Sequence, residues 1–140
     1  MHHRILRTID ANINRISEGL RVLEDIARFI IEDTDTCKQL KSIRHDLNLH
    51  IHKLGTDLLL SRESNRDVGA HIDLTDEHIN LFLLTQANAK RIEQGLRVLE
   101  ELAKLPDLKN ILSAKDIKKA RYSIYSLERT LIAELLQIDN

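Results

Sequence analysis

At 140 residues the chain can bury a core of its own as one domain, and its formal net charge of −1 argues against a dedicated nucleic-acid binder. Charged residues at 31% and hydrophobic residues at 42% are ordinary for a soluble chain, and no apolar run approaches the ~20 residues that span a bilayer. The lone Cys37 excludes an internal disulfide and fits a reducing cytoplasm.

Met1 to Leu6 lacks the apolar core of a signal peptide, and its two histidines are assigned no chemistry. With aromatics at 3% and no Trp, the core must come from Leu, Ile, Val and Ala. One Pro and four Gly leave few turn signals, and the remaining composition favours helix.

The first predicted helix runs from about Arg7 to Glu32. On a wheel of ~100° per residue, Ile9, Ile13, Ile16, Leu20, Leu23, Ile26, Ala27 and Ile30 form one apolar arc. Asp10, Asn14, Arg21, Asp25 and Arg28 lie opposite, where solvent is expected. Asn12, Arg15 and Gly19 break the pattern by falling within or beside the arc.

The second predicted helix covers about Thr36 to Leu60 and places Arg44 among Leu40, Leu47, Ile51 and Leu54. Cys37 sits on its apolar stripe as a packing residue. His50 and His52 diverge by ~200°, so they do not share a metal, and solvent exposure is expected for both. The polar connection Ser61 to Thr75 follows, containing Arg62, Arg66, Asp67 and Gly69. Asp67 there suits either a Mg²⁺ ligand or an Asx-turn, with Gly69 supplying a positive φ.

The third predicted helix, about Asp76 to Leu105, starts from Thr75 as N-cap, with Asp76 and Glu77 in its first turn. Pro106 ends it. The fourth, about Ala114 to Ile138, opens on a box-like Ser113 and Asp116. Arg121 falls among its apolar residues, with Glu128 as the nearest expected partner.

The halves repeat. Ala11 to Phe29 aligns with Ala87 to Leu105 at an offset of 76 residues, with 11 of 19 positions identical and the hexamer GLRVLE intact in both. Leu40 to Leu47 lies over Ile117 to Ile124 at an offset of 77, matching Arg44 to Arg121. The expected fold is therefore all-α: a single domain of four long helices in a bundle, built from a duplicated helix-loop-helix hairpin (residues 5–60 and 76–138, joined by 61–75).

The duplication repeats the pattern-breakers as Asn88, Arg91 and Gly95, so each helix is expected to turn one arginine toward the seam. Buried arginines need partners, and structural ion pairs are one reading. Convergent arginines, Asn donors and close-approach glycines also fit a polyanion site. Arg21 and Arg97 are expected on the outer face, spaced for surface pairing with Glu24 and Glu100. A metal or substrate role for those glutamates stays open. Neither a P-loop nor a dinucleotide fingerprint is present, so phosphate chemistry would fall to helix side chains and the Asp67 loop.

Asn-x-x-Arg, LRVLE followed by Asp or Glu, Arg44-His45-Asp46-Leu47, Arg62 with Asp67-Val68-Gly69, and the second Asn-x-x-Arg occur in that order over residues 5–135. In this combination the chain resembles the small all-helical hydroxymethylpyrimidine-phosphate kinases of bacterial thiamine biosynthesis, found alone or fused ahead of thiamine-phosphate synthase. The resemblance implies transfer of the ATP γ-phosphoryl, with Mg²⁺, to 4-amino-5-hydroxymethyl-2-methylpyrimidine phosphate. Onto this chain it carries Arg15, Arg44, Asp67 and Arg91 as catalytic candidates, with Asp67 the metal ligand. Asn12, His45, Arg62, Gly69 and Asn88 follow as substrate-binding candidates. A docking or homodimerising helical module and a helical nucleotide pyrophosphohydrolase are the competing readings. The second lacks its usual E-x-x-E carboxylates at the seams.

Overall fold

The computed structural model describes residues 2–71 and 80–138, and every regular element among them is helical. Helix α1 covers His3–Asp25 and is capped by the His2 imidazole, whose Nδ1 accepts from the Arg4 N–H at 3.1 Å. Its apolar arc is buried as expected: Ile9, Ile13, Ile16, Leu20 and Leu23 are almost fully enclosed.

The expected first helix continues beyond α1 as six π-helical residues, Ile26–Ile31. The wider π turn shifts the side-chain register, so Ile30 emerges 45% exposed instead of joining the core. Glu32 then ends the segment in a left-handed conformation, φ 62°, with its N–H donated to the Ala27 carbonyl.

Asp33 caps the next helix, α2 (Thr34–Leu54), accepting from the Thr36 N–H at 3.0 Å and the Thr36 hydroxyl at 2.6 Å. The expectation of one helix through Leu60 fails at Gly55, whose φ of 62° breaks the run. A single turn, α3 (Asp57–Leu60), resumes beyond it and buries Leu58. Two 3₁₀ turns, Ser64–Arg66 and Val68–His71, carry the chain on.

The predicted start of the third helix (Thr75, Asp76 and Glu77) lies outside the described residues. Helix α4 covers Leu81–Leu102, with the Asn80 side chain as its cap, accepting from the Leu83 N–H at 2.8 Å. Pro106 follows the helix, and the connection seals the bundle end with buried Leu108 and Leu112. Helix α5 is Ala114–Ile138, the predicted span, and the Ser113 hydroxyl accepts from the Asp116 N–H at 3.2 Å.

α1 and α4 cross antiparallel at the centre, α2 lies on α1, α5 lies on α4, and α2 meets α5 to close the ring. The central crossing depends on two glycines. A Cβ on Gly19 would come within 2.7 Å of Ile92 Cγ1, and one on Gly95 within 2.7 Å of Ile16 Cγ1. The repeated hexamer therefore contributes the notches through which each half seats the other's isoleucine. Asn12 and Asn88 beside them are buried, each donating its amide back to its own helix, to Thr8 O at 2.8 Å and Leu84 O at 2.9 Å.

Candidate active site

The last residue of the hexamer in each copy, Glu24 and Glu100, is 6% and 3% exposed, which makes both of them core groups. Each receives an arginine from the second helix of its own hairpin. Arg44 donates to Glu24 from Nε at 2.8 Å and Nη2 at 3.1 Å; Arg121 donates to Glu100 from Nε at 3.1 Å. Glu128 is therefore not the partner of Arg121. Glu100 also takes Arg97, which reaches Glu101 at 3.1 Å, whereas Arg21 has no ion-pair partner among the described residues.

Two carboxylate pairs sit where α5 packs against its neighbours. Glu93, 4% exposed, has an unpartnered Oε2 and lies against Glu128, with Lys90 Nζ at 3.7 Å. Burial pushes its pKa up to about 7, and the Glu128 carboxyl adds to that shift. Glu134 is likewise raised to about 7, first by burial and then by Asp33. Asp33 itself is held below the usual range by its Thr36 hydrogen bonds.

Arg15 and Arg91 do not turn to the seam: both are exposed. The difference is one of angle. Each stands about 60° round the helix from its asparagine, at the edge of the apolar stripe, where a long side chain reaches solvent. His45 is exposed on α2.

One cleft of about 690 Å³ collects much of the expected set. Its α1 wall carries Arg4, Arg7, Asn12 and Arg15, and its opposite wall carries Arg62, Arg66 and Asp67. What folds the second wall over the first is Asp10, which sequence periodicity assigned to solvent. It is 7% exposed and accepts from Arg62 Nε at 2.7 Å and Nη2 at 3.0 Å, across 52 residues of sequence. That carboxylate raises the pKa of Arg62.

Nearby, Glu63 receives Arg66 at 3.4 Å, and its carbonyl accepts from Arg7 at 3.5 Å. The Asp67 Oδ1 accepts from the Gly69 N–H at 2.9 Å, the Asx-type contact foreseen. Gly69 does not have the expected positive φ; among described glycines only Gly55 does.

Five guanidiniums thus face three carboxylates, Asp10, Glu63 and Asp67. Two of those carboxylates are engaged by arginine, and Arg4 and Arg15 have no ion-pair partner among the described residues. The cleft has net positive charge and fork-shaped donors, a chemistry suited to phosphate. Arg44, His45, Gly69, Asn88 and Arg91 are not among its lining residues, so five of the nine sequence candidates stand outside it. Arg4 and Arg7 join it without having been singled out as site residues, and Arg66 joins it from the polar connection that carries Arg62. Only the basic spacing of the N-terminal stretch could have signalled the first two. Among the described residues no group of three or more His, Cys, Asp or Glu side chains is placed to hold a metal ion.

An all-helical bundle with an arginine-walled cleft at its first helix is the class these features define. The chain belongs to the ThiD2 family, which matches residues 7–130. It is also similar to several thiamine-phosphate synthases. The one from Rhodopirellula baltica is 38% identical over 130 residues, covering 91% of this chain and 34% of that protein. That of Synechocystis sp. (strain PCC 6803) is 37% identical over 134 residues, 94% of this chain and 37% of that protein. That of Prochlorococcus marinus (strain MIT 9303) is 36% identical over 129 residues, 92% of this chain and 35% of that protein. The chain spans about a third of the length of the curated relatives it matches. No solved structure matches it.

Proposed function

We propose that this protein is a phosphotransferase of thiamine biosynthesis, moving the γ-phosphoryl of ATP to 4-amino-5-hydroxymethyl-2-methylpyrimidine phosphate. The observation that carries the proposal is the cleft itself, where Arg4 and Arg15, without an ion-pair partner among the described residues, face Arg62, Arg66 and Asp67. An oxygen of the acceptor phosphate attacks the γ-phosphorus, the bond from that phosphorus to the β-bridging oxygen breaks, and ADP leaves as the pyrimidine diphosphate forms. A phosphate oxygen is already a nucleophile at neutral pH. Catalysis then reduces to alignment and charge neutralisation, which arginines supply without a general base.

Mg²⁺ would accompany the nucleotide and neutralise its phosphates. Asp67 fits such an ion, because its Oδ1 is held by Gly69 while a second carboxylate oxygen is left over. One carboxylate plus substrate phosphates is a usual Mg²⁺ donor set. Arg15 and Arg4 would bind the acceptor phosphate, and Arg62 and Arg66 the nucleotide phosphates. Asn12 lines the same wall, where its carbonyl oxygen can orient the acceptor.

The match to a third of several thiamine-phosphate synthases supports association with such an enzyme, in the same chain or as a partner. A coupled assay with ATP, Mg²⁺ and the pyrimidine phosphate, run beside the unphosphorylated pyrimidine, tests the proposal. Turnover of the phosphate alone is expected. No turnover of either by a folded, helical sample returns the chain to a docking role.

A further inference from the structure

Where the π turn leads into α2, a second cleft of about 500 Å³ opens, sharing no lining residue with the arginine cleft. Arg21 and Arg28 stand on one wall, Lys38 and Lys41 on the other, with the Glu24–Arg44 pair joining the two. Of the four carboxylates that line it, two are already engaged. Glu24 is held by Arg44, and Asp33 accepts from the Thr36 N–H at 3.0 Å and hydroxyl at 2.6 Å. Asp25 and Glu32 are left against four cations, none of which has an ion-pair partner among the described residues.

The C-terminal hairpin shows the same positions neutralised. Arg97, Glu101 and Lys104 stand there where the first copy has Arg21, Asp25 and Arg28. Glu101 takes Arg97 at 3.1 Å and Lys104 at 2.8 Å, and Arg121 lies over the Tyr122 ring at 5.1 Å. Asp25 is one methylene shorter than Glu101 and pairs with neither of its arginines. The N-terminal hairpin thus keeps free the charges that its twin cancels.

The backbone is irregular at the same place. Glu32, which lines the cleft, adopts a φ of 62° where glycine is usual, directly after the π turn Ile26–Ile31. Left-handed residues other than glycine, and π turns, recur at functional sites. The C-terminal hairpin has neither among the described residues.

We infer that this cleft is a second anion site, taking a small phosphate compound that carries two or more negative charges. The surplus of cations over free carboxylates sets the sign and the multiplicity of that charge. Donors on two facing walls select the phosphate. Its tetrahedral oxygens can meet guanidinium forks on one side and ammonium groups on the other, whereas a carboxylate presents two oxygens in one plane. The inference stands apart from the phosphoryl-transfer reading, whose phosphates belong to the other cleft.

Inorganic pyrophosphate is the probe, titrated into the isotope-labelled full chain at about 0.15 M salt, where weak surface attraction is screened. Amide NMR reads both clefts at once: shifts at Arg28, Glu32 and Lys41 report this one, and shifts at Arg4, Thr8 and Arg62 the other. Saturable shifts here are expected, with a Kd of about 1 mM or tighter, unchanged by Arg15→Ala. Arg28→Ala should weaken binding about 10-fold, the scale of one charge-assisted contact. Asp25→Glu should weaken it to a similar degree, because it gives this copy the carboxylate that occupies both cations in the other. Citrate should bind at least about 10-fold more weakly than pyrophosphate.

No shift in this cleft up to about 10 mM pyrophosphate would overturn the inference. So would shifts that survive both Arg28→Ala and Asp25→Glu, or that vanish in Arg15→Ala. Citrate binding as tightly as pyrophosphate would overturn the choice of phosphate. Asp25 and Arg28 are exposed, so neither variant disturbs the core. Because no turnover is measured, a negative kinase assay would leave this result intact.

Discussion

Arg44 grips Glu24 through two hydrogen bonds, and at Glu100, 76 residues beyond that glutamate, Arg121 makes the matching contact through one, from Nε at 3.1 Å. Each pair ties the second helix of a hairpin to the first, at side chains enclosed by the bundle. The conserved offset between the copies thus preserves an internal fastening as well as a hydrophobic pattern.

Removing one member of such a pair strands the other. Arg44→Ala should lower stability by about 2–4 kcal/mol, read as a drop in the urea midpoint, because the buried Glu24 loses the guanidinium that holds both its oxygens. Glu24→Leu combined with Arg44→Leu should recover most of that loss, since two apolar groups leave nothing charged behind. A double variant no better than Arg44→Ala would mean the pair is not the source of the effect.

The glycine notches predict an asymmetry. In Gly19→Ala the new methyl meets Ile92 at 2.7 Å and also the Asn88 carbonyl at 3.2 Å, whereas in Gly95→Ala the Asn12 carbonyl lies at 3.5 Å. Backbone cannot yield as a side chain can. Both substitutions should destabilise by about 1–3 kcal/mol of overpacking, partly offset by alanine's helix propensity, and Gly19→Ala should cost more. Thermal unfolding of the two variants side by side checks the order.

Glu93 sets a pH dependence. Its folded pKa of about 7 lies above its ordinary value of 4.5, so the folded state holds a proton the unfolded chain releases. Stability from this group is complete below pH 4.5, falls as pH rises to about 7, and is flat beyond. Glu93→Gln should remove that fall, gaining on the order of 2 kcal/mol at pH 8 relative to pH 5. Melting temperatures of parent and variant at the two pH values measure the difference. Glu134 contributes in the same direction and persists in the variant.

Arg15→Ala separates function from folding. The side chain is exposed and has no ion-pair partner among the described residues, so its loss should leave the melting temperature almost unmoved while lowering kcat/KM about 100-fold or more. Arg62→Ala should do both kinds of damage, since it also strands the buried Asp10. Arg91→Ala, whose residue lines no part of the cleft, should cost at least about 10-fold less activity than Arg15→Ala. Steady-state kinetics on the three proteins distinguish these outcomes.

Helix content and pairing were legible because they rest on periodicity and duplication. The α5 span was predicted from a Ser113 cap and an unbroken apolar stripe, and the buried arc of α1 from residues three and four apart. Boundaries set by a single backbone conformation were missed. Gly55 ends α2 early through its positive φ, and the π turn at Ile26–Ile31 has no distinctive composition. The site was half legible. Periodicity identified Asn12, and its neighbour Arg15, as misplaced, but it also put Asp10 in water. The long-range pairing of Asp10 with Arg62, invisible to any local pattern, brings the two cleft walls together, with Arg7 reaching the Glu63 carbonyl beside it.

The crossing of α1 and α4 has a consequence for half of the molecule. Gly19 receives Ile92 and Gly95 receives Ile16, so each hairpin carries both a socket and the plug that fits its twin. A surface that bears both halves of its own lock is complementary to itself under a twofold rotation. The N-terminal hairpin, cut free, would therefore find in another copy of itself the mate it normally has further along the same chain. The present bundle is, in geometric terms, such a pair joined by a tether.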